Sequence, residues 1–274
     1  MKFGLASLSL FPLSPKKVMQ LGSQAGFDFV EIFLFRPVDY GCISALSELS
    51  GKLDIELHFH QVWSTQEERD KSWRVRALNA FLTGIGWIPK GDYRLSQWVP
   101  HNAWPVVVYA DRWQEAAKTK NMWMQTISTN GNDGATFKCS WQEFRGIAAE
   151  KKLPLVFDTM HFLEWLHEVP DIHLLESGFR RTERIRDDWE KFWCQFYPQV
   201  KEIHWNDFDP GLPRGRARNL WPGEGIGPLR ELAEDIKATH WDGCVVPEIQ
   251  PRLPFPYGRK ELLALRKKMD EYFG

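Results

Sequence analysis

The chain has 274 residues, and its 35 basic against 36 acidic side chains leave a formal net charge of −1, which supplies no global attraction to nucleic acid or an anionic membrane. Its 14 Trp and 18 Phe provide bulk for a large core, and no segment reaches the ~20 apolar residues that a membrane helix needs. The four cysteines, Cys42, Cys139, Cys194 and Cys244, are far apart with no C-x-x-C pair, so neither a zinc knuckle nor a dithiol centre is indicated, and a reduced, cytoplasmic setting is expected.

Strand-like and helix-like segments alternate in chain order. The first residues, Met1-Lys-Phe-Gly-Leu-Ala-Ser7, are too short and too polar for a signal segment, and residues 3–7 read as a strand. Residues 15–25 read as a helix with Ser14 as N-cap, Pro15 at the first helical position and Gly26 as its stop. A second strand over 27–33 carries Glu31, and a short helix covers 43–49. A third strand over 54–59 carries His58, which shares a face with His60 if the strand continues through Phe59. Residues 66–82 read as an amphipathic helix. The Gly- and Pro-rich stretch 84–105 is long for a loop, and reads as an insertion over an active-site mouth or a break in the assignment.

Val106–Tyr109 is a fourth strand, followed by a helix near 112–119, a fifth strand over 123–128 and a helix over 140–152 capped by Ser140. A sixth strand ends at Asp158 with helical sequence after His161, and a charged segment spans 182–197. A seventh strand ends near Trp205, and a helix over 228–238 starts with Pro. An eighth strand ends at Glu248, and Arg259–Phe273 forms the closing helix. Eight β/α units without a linker predict one (β/α)8 TIM barrel over residues 1–274. An open doubly wound sheet would call for a Gly-rich phosphate loop after the first strand, and Ser7-Leu-Ser-Leu-Phe-Pro12 is not one.

The chemistry-bearing residues fall where apolar runs end. Asp158 and His161 follow Leu153-Pro-Leu-Val-Phe157, His204, Asn206 and Asp207 follow Val200-Lys-Glu-Ile203, and Glu248 follows Cys244-Val-Val-Pro247. A barrel gathers such strand ends into one mouth, where a carboxylate and imidazole set suits Mn, Zn, Co or Fe. Taken singly, Asp158 reads equally as a helix N-cap, and Asn206-Asp207 as turn residues that could bring Asp207 back to the mouth. Glu31 reads as a buried salt bridge or a substrate contact, and one of His58 and His60 as structural. Arg214, Arg216 and Arg218 could clasp a phosphate or carboxylate, and Trp63 and Trp221 could wall a sugar or simply pack.

These residues resemble the xylose-isomerase-like barrel superfamily of sugar isomerases, epimerases and apurinic endonucleases. The resemblance lies in Phe27-Asp-Phe-Val-Glu31, Leu57-His58, Phe157-Asp-Thr-Met-His161, His204-Trp-Asn-Asp207, Pro222-Gly-Glu-Gly225 and Pro247-Glu248. It implies one divalent ion (Mn, Mg, Co or Zn) held by Asp158, His204 and Glu248, with Glu248 also as base. His161 and His58 would position substrate or relay protons, and Glu31, His60, Asn130, Trp221 and Arg218 are candidate substrate contacts. The family's fifth-strand Glu is absent where it is expected, and the chain reads Ser128-Thr-Asn130 and then Gly131-Asn-Asp133. Thr129, Asn130 or Asp133 substitutes there, or the metal site is weakened or its chemistry changed.

The implied activity is a metal-dependent sugar or polyol isomerase or epimerase, with a small-molecule substrate, no nucleic-acid or membrane partner, and homo-oligomerisation left open. One alternative is an apurinic-endonuclease-type phosphodiesterase. That branch's second Asp and His would fall on Ala217 and Asn219. The other is a non-catalytic ligand-binding barrel with a degraded metal site.

Overall fold

Short apolar runs stopped by Pro, Gly or polar residues become strands buried on both faces. The computed structural model describes residues 1–34, 40–61, 104–110, 113–117, 121–126, 141–168, 178–212, 218–252 and 255–274. Its eight strands are β1 (Lys2–Ala6), β2 (Phe29–Leu34), β3 (Glu56–Gln61), β4 (Val106–Tyr109), β5 (Met122–Gln125), β6 (Leu155–Asp158), β7 (Val200–His204) and β8 (Cys244–Val246). Each pairs in parallel with its sequence neighbours, and β1 pairs β8 to close the barrel. The helices are α1 (Pro15–Gln24), α2 (Tyr40–Leu53), α3 (Trp113–Ala116), α4 (Trp141–Lys151), α5 (Thr159–Glu168), α6 (Gly178–Phe196), α7 (Leu229–Ala238) and α8 (Arg259–Phe273). The expected TIM barrel is the fold. No helix among the described residues is long and apolar enough to cross a membrane.

Period-two alternation sorts the strand side chains into two cores. Leu5, Val30, Ile32, Leu57, Phe59, Val108, Met124, Leu155, Phe157, Ile203 and Val245 face outward into one large cluster with the helices. A small apolar group of Ala6, Phe29, Phe33 and Val246 lies inside the barrel. Polar side chains share this interior, including Glu31, His58, His60, Gln125, Asp158, Glu202 and His204, all buried. A register shift against β6 leaves Lys201 exposed while Val200 joins the outer core. Glu202 and His204, two residues apart, both point inward.

Several boundaries differ from the sequence reading. α2 extends well beyond residues 43–49 at both ends. β5 ends at Gln125, three residues before Ser128. β8 ends at Val246, with Glu248 two residues beyond it. Pro228 is the N-cap of α7 rather than its first helical residue, with ψ of 51°. Ser14 does cap α1, its Oγ accepting from Lys17 N at 3.4 Å. The serines after β1 tie strand ends together: Ser7 Oγ accepts from Phe33 N at 2.8 Å and Ser9 Oγ from Ile249 N at 3.0 Å. The helix expected over 66–82, the stretch 84–103 and Ser140 lie outside the described residues.

Candidate metal centre

The carboxyl ends of β5 to β8 meet around one imidazole. His204 is fully buried, and its ring divides the barrel interior into two sides. On the mouth side, Nδ1 lies 3.2 Å from Glu248 Oε2 and 3.5 Å from Asp158 Oδ2. Gln125 Nε2 sits 3.1 Å from the same nitrogen and donates to Asp158 Oδ2 at 3.0 Å. One donor atom each from Asp158, His204 and Glu248 lies within 4.8 Å of the others. The three residues expected from sequence to hold a metal are therefore brought together.

Local structure fixes each of them. Asp158 N donates to Thr126 Oγ1 at 2.9 Å, and Asp158 Oδ1 accepts from His161 N at 3.1 Å. Asp158 thus caps α5 with one oxygen and faces His204 with the other, so its two readings from sequence hold together. Glu248 N donates to Asn206 Oδ1 at 2.6 Å, and Glu248 Oε1 accepts from Asn219 Nδ2 at 3.0 Å. Asn206 is itself held by Thr159, whose Oγ1 donates to Asn206 O at 2.6 Å.

Behind His204, Nε2 lies 3.3 Å from both Glu31 Oε1 and Glu202 Oε1. His60 Nδ1 is 3.2 Å from Glu31 Oε1. One layer deeper, His58 Nδ1 pairs with Glu202 Oε2 at 2.6 Å while its ring stacks on Phe29 at 4.1 Å. His58 and His60 do share the inward face. Both sit below the mouth, and Glu31 with His60 backs His204.

His161, at the start of α5, is partly exposed, with Nε2 3.9 Å from Asp158 Oδ2 and Nδ1 3.7 Å from Glu164 Oε2. Arg218 is ion-paired with the buried Glu164, so its charge is already engaged rather than held ready for an anionic substrate. Trp221 Nε1 donates to Tyr257 Oη at 3.3 Å, with the rings edge to face. Asp207 does not return to the mouth. Its Oδ1 accepts from Phe208 N and Gly227 N and its Oδ2 from Gly223 N, each at 2.9 Å. It therefore pins the Pro222-Gly-Glu-Gly225 loop, where a Cβ on Gly225 would strike Asp207 Oδ1 and Phe208 O. Asn130, with Ser128, Thr129, Asp133, Trp63, Arg214 and Arg216, lies outside the described residues.

The electrostatics follow from charge crowding. Burial would raise the Glu31 carboxyl, but the charges of His204 and His60 outweigh it and hold Glu31 below the usual carboxylate range. Asp158 is held low against its own burial by His161 and His204. Burial favours neutral His204, yet Glu31, Asp158, Glu202 and Glu248 push its pKa well above the ordinary value. The Tyr109 phenol is driven up by burial and then by Glu248 and Asp158, so it stays neutral. Four buried carboxylates around one imidazole are costly unless cations join them. Two carboxylates and an imidazole nitrogen form a donor set that fits a divalent ion, while Gln125 turns its Nε2 toward them and leaves its buried Oε1 without a hydrogen-bond partner among the described residues.

Gln125 was missed from sequence. Its signal was its place at the end of Met122-Trp-Met, the same strand-end position that marks Asp158 and His204. Glu202 and Glu164 were also missed. Glu202 lies two residues before His204 and so on the same strand face, whereas Glu164 looks like any polar helix residue.

A family model described as the xylose isomerase-like TIM barrel matches residues 19–269. No curated protein matches the chain by sequence. Among solved structures, a D-tagatose 3-epimerase-like protein is similar at TM-score 0.56 and 16% identity, covering 99% of this chain and 97% of its own. D-psicose 3-epimerase from Clostridium cellulolyticum H10, solved with D-tagatose, gives 0.51 and 14%, covering 100% and 99%. The 3-keto-D-glucoside 4-epimerase from E. coli, in its apo form, gives 0.51 and 17%, covering 97% and 99%. At these identities the structural likenesses speak for the fold alone. With its family match extending over nearly the whole chain, the protein belongs to the xylose isomerase-like TIM barrel family.

Proposed function

We propose that the protein is a divalent-metal-dependent isomerase or epimerase of sugars or polyols that moves a proton beside a carbonyl. The observation that carries this reading is the convergence of Asp158, His204 Nδ1 and Glu248 on one point of the mouth. These three would hold the ion, and Gln125 stands beside them without adding charge. When bound, the ion supplies Lewis-acid polarisation of a carbonyl and its neighbouring hydroxyl, acidifying the C–H between them. The similar structures act, by their names, on ketoses or keto-sugars, which supports that substrate class here.

Glu248 is the base. Its Oε1 is anchored by Asn219 while its Oε2 faces the ring, which supports a base held in place beside the ion position. His161, partly exposed between Asp158 and Glu164, positions a substrate hydroxyl. His58 acts from below through Glu202, and Glu31 and His60 orient His204 rather than touch substrate. Gln125 cannot accept a proton, so among the described residues abstraction and return through Glu248 on one face would serve isomerisation between adjacent carbons, while epimerisation would need a second acid–base group on the opposite face. Trp221 and Arg218 border the mouth as packed and ion-paired side chains, suited to a neutral sugar. The same Gln125 favours the second reading, a ligand-binding barrel with a weakened metal site.

Two measurements separate these readings. Metal analysis after reloading with Mn or Mg should give about one equivalent, falling below about a tenth in Glu248→Gln. Proton NMR in deuterated water, with a panel of ketoses that includes D-psicose and D-tagatose, should show deuterium entering at carbon beside the carbonyl, and no entry with Glu248→Gln. A protein that takes up no ion, or binds sugars without exchange, is the non-catalytic barrel.

A further inference from the structure

We propose that the inner side of His204 carries a second divalent-cation position, built from Glu31 on β2, His60 on β3 and His204 Nε2 on β7. It goes beyond the mouth site, shares only His204 with it, and rests otherwise on Glu31 and His60.

The strands dictate the grouping. β2 and β3 pair with Glu31 opposite His58 and Phe33 opposite His60, and the inward face around them is the apolar group of Ala6, Phe29, Phe33 and Val246. Glu31 is fully buried and His60 is 1% exposed. A carboxylate and an imidazole in such a box need a strong partner. Direct contact between them brings opposite charges together without an aligned hydrogen bond. Glu31 Oε1 lies 3.2 Å from His60 Nδ1 and 3.3 Å from His204 Nε2. Even so, neither oxygen of Glu31 nor either nitrogen of His60 has a hydrogen-bond partner among the described residues. The neighbouring His58–Glu202 contact, at 2.6 Å, is a true hydrogen bond.

Spacings of this size with misaligned N–H directions are what a shared ion requires. Donors bound tetrahedrally at ~2.0–2.1 Å lie about 3.4 Å apart, with lone pairs aimed at the ion instead of at each other. One donor atom each from Glu31, His60 and His204 falls within 4.8 Å of the others, and Glu202 Oε1, 3.3 Å from His204 Nε2, stands beside them. Two imidazoles and a carboxylate make a nitrogen-rich set that suits zinc or cobalt. The mouth, with its oxygen-rich set, suits manganese or magnesium better.

The two positions share one ring. A neutral imidazole has one lone pair and one N–H. An ion at the inner position takes the Nε2 lone pair and places the proton on Nδ1, facing Glu248 Oε2 and Asp158 Oδ2. An ion at the mouth takes Nδ1 and leaves the proton on Nε2, facing Glu31 and Glu202. The positions are therefore alternatives, and zinc occupies the inner one.

The test loads the full chain with zinc and counts imidazoles around the ion by X-ray absorption. The doubly substituted Asp158→Asn, Glu248→Gln protein should keep about one equivalent of zinc, with two imidazoles around it. Adding His60→Phe or Glu31→Gln should cut that content at least tenfold. Affinity loss alone would not suffice, because residues that merely orient a ligand also cost about 10–100-fold, so the imidazole count decides. Zinc retention below about a tenth of an equivalent in the folded double variant overturns the inner position and leaves the mouth reading intact. Zinc held by a single imidazole in the unmodified protein, with the same count in His60→Phe, also overturns it. Two imidazoles with no response to Glu248→Gln would uphold the inner position against the mouth site. Glu31→Gln keeps the side-chain shape, so it serves where His60→Phe fails to fold.

Discussion

At the end of β5, Gln125 turns its Nε2 toward Asp158 Oδ2 and His204 Nδ1, where a carboxylate would face Asp158 and Glu248 as a third negative charge. Gln125→Glu should tighten divalent-ion binding at the mouth by about tenfold or more, since ligand charge count sets the affinity of oxygen-rich sites. The same change should lower the melting temperature of the chelated protein, because like charges are then buried without a counter-ion. Isothermal titration and thermal melts with and without chelator check both halves. An unchanged affinity would place Gln125 outside the coordinating ring. The residue also shows where sequence reading stops. Asp158, His204 and Glu248 were legible because each ends an apolar run with a group that ligates metals. Gln125 is followed by Thr126-Ile-Ser128, whose β-branched character hides the strand end, and an amide does not announce itself as a ligand. Glu202, beside the exposed Lys201, reads as a surface carboxylate, although its two-residue spacing from His204 places it on the inward face.

Among the elements, α6 illustrates how much of the barrel's outer layer is decided by aromatic spacing. Trp189, Phe192, Trp193 and Phe196 recur at helical intervals, and all four are buried. Trp189 stacks on Trp193 at 5.0 Å, meets Phe157 of β6 at 5.1 Å and donates from Nε1 to Asp235 Oδ2 of α7 at 3.1 Å. It therefore joins one strand and two helices. Trp189→Ala should cost about 3–5 kcal/mol, the range for emptying a large aromatic site in a close-packed core. A guanidinium unfolding midpoint measures it, and a loss under about 1 kcal/mol would mean that the neighbours close the cavity. From sequence the stretch reads only as a charged segment, and the Trp and Phe between the charges carry its buried face. Strand positions were legible for the same reason, as Pro and Gly punctuate the apolar runs. Exact ends were not, because β8 stops at Val246 while Pro247 and Glu248 continue inward without ladder pairing.

For the whole molecule, a near-neutral net charge conceals an interior in which acid and base groups are held in opposition. Glu31, Asp158 and Glu164 each have a carboxyl held below its ordinary range in the fold, against the pull of burial, chiefly by His204 for Glu31 and by His161 for the other two. Their contribution to stability is present above the unfolded carboxylate values, about pH 4–4.5, and is lost as pH falls through the lower folded values. His204 and His161 are raised, despite burial, by the carboxylates facing them. Their contribution is complete below the unfolded histidine value of about 6.5 and is lost as pH rises through the higher folded values. The chelated protein should thus be most stable between about pH 5 and 6.5 and weaken on both sides. A divalent ion replaces the proton on His204, so saturating metal should move the maximum upward. Unfolding free energies from guanidinium titrations between pH 4 and 9, with chelator and with ion, test the argument. A chelated protein whose stability climbs steadily from pH 6.5 to 9 would show that His204 is neutral in the metal-free fold, and that its four carboxylates are balanced by something other than its proton.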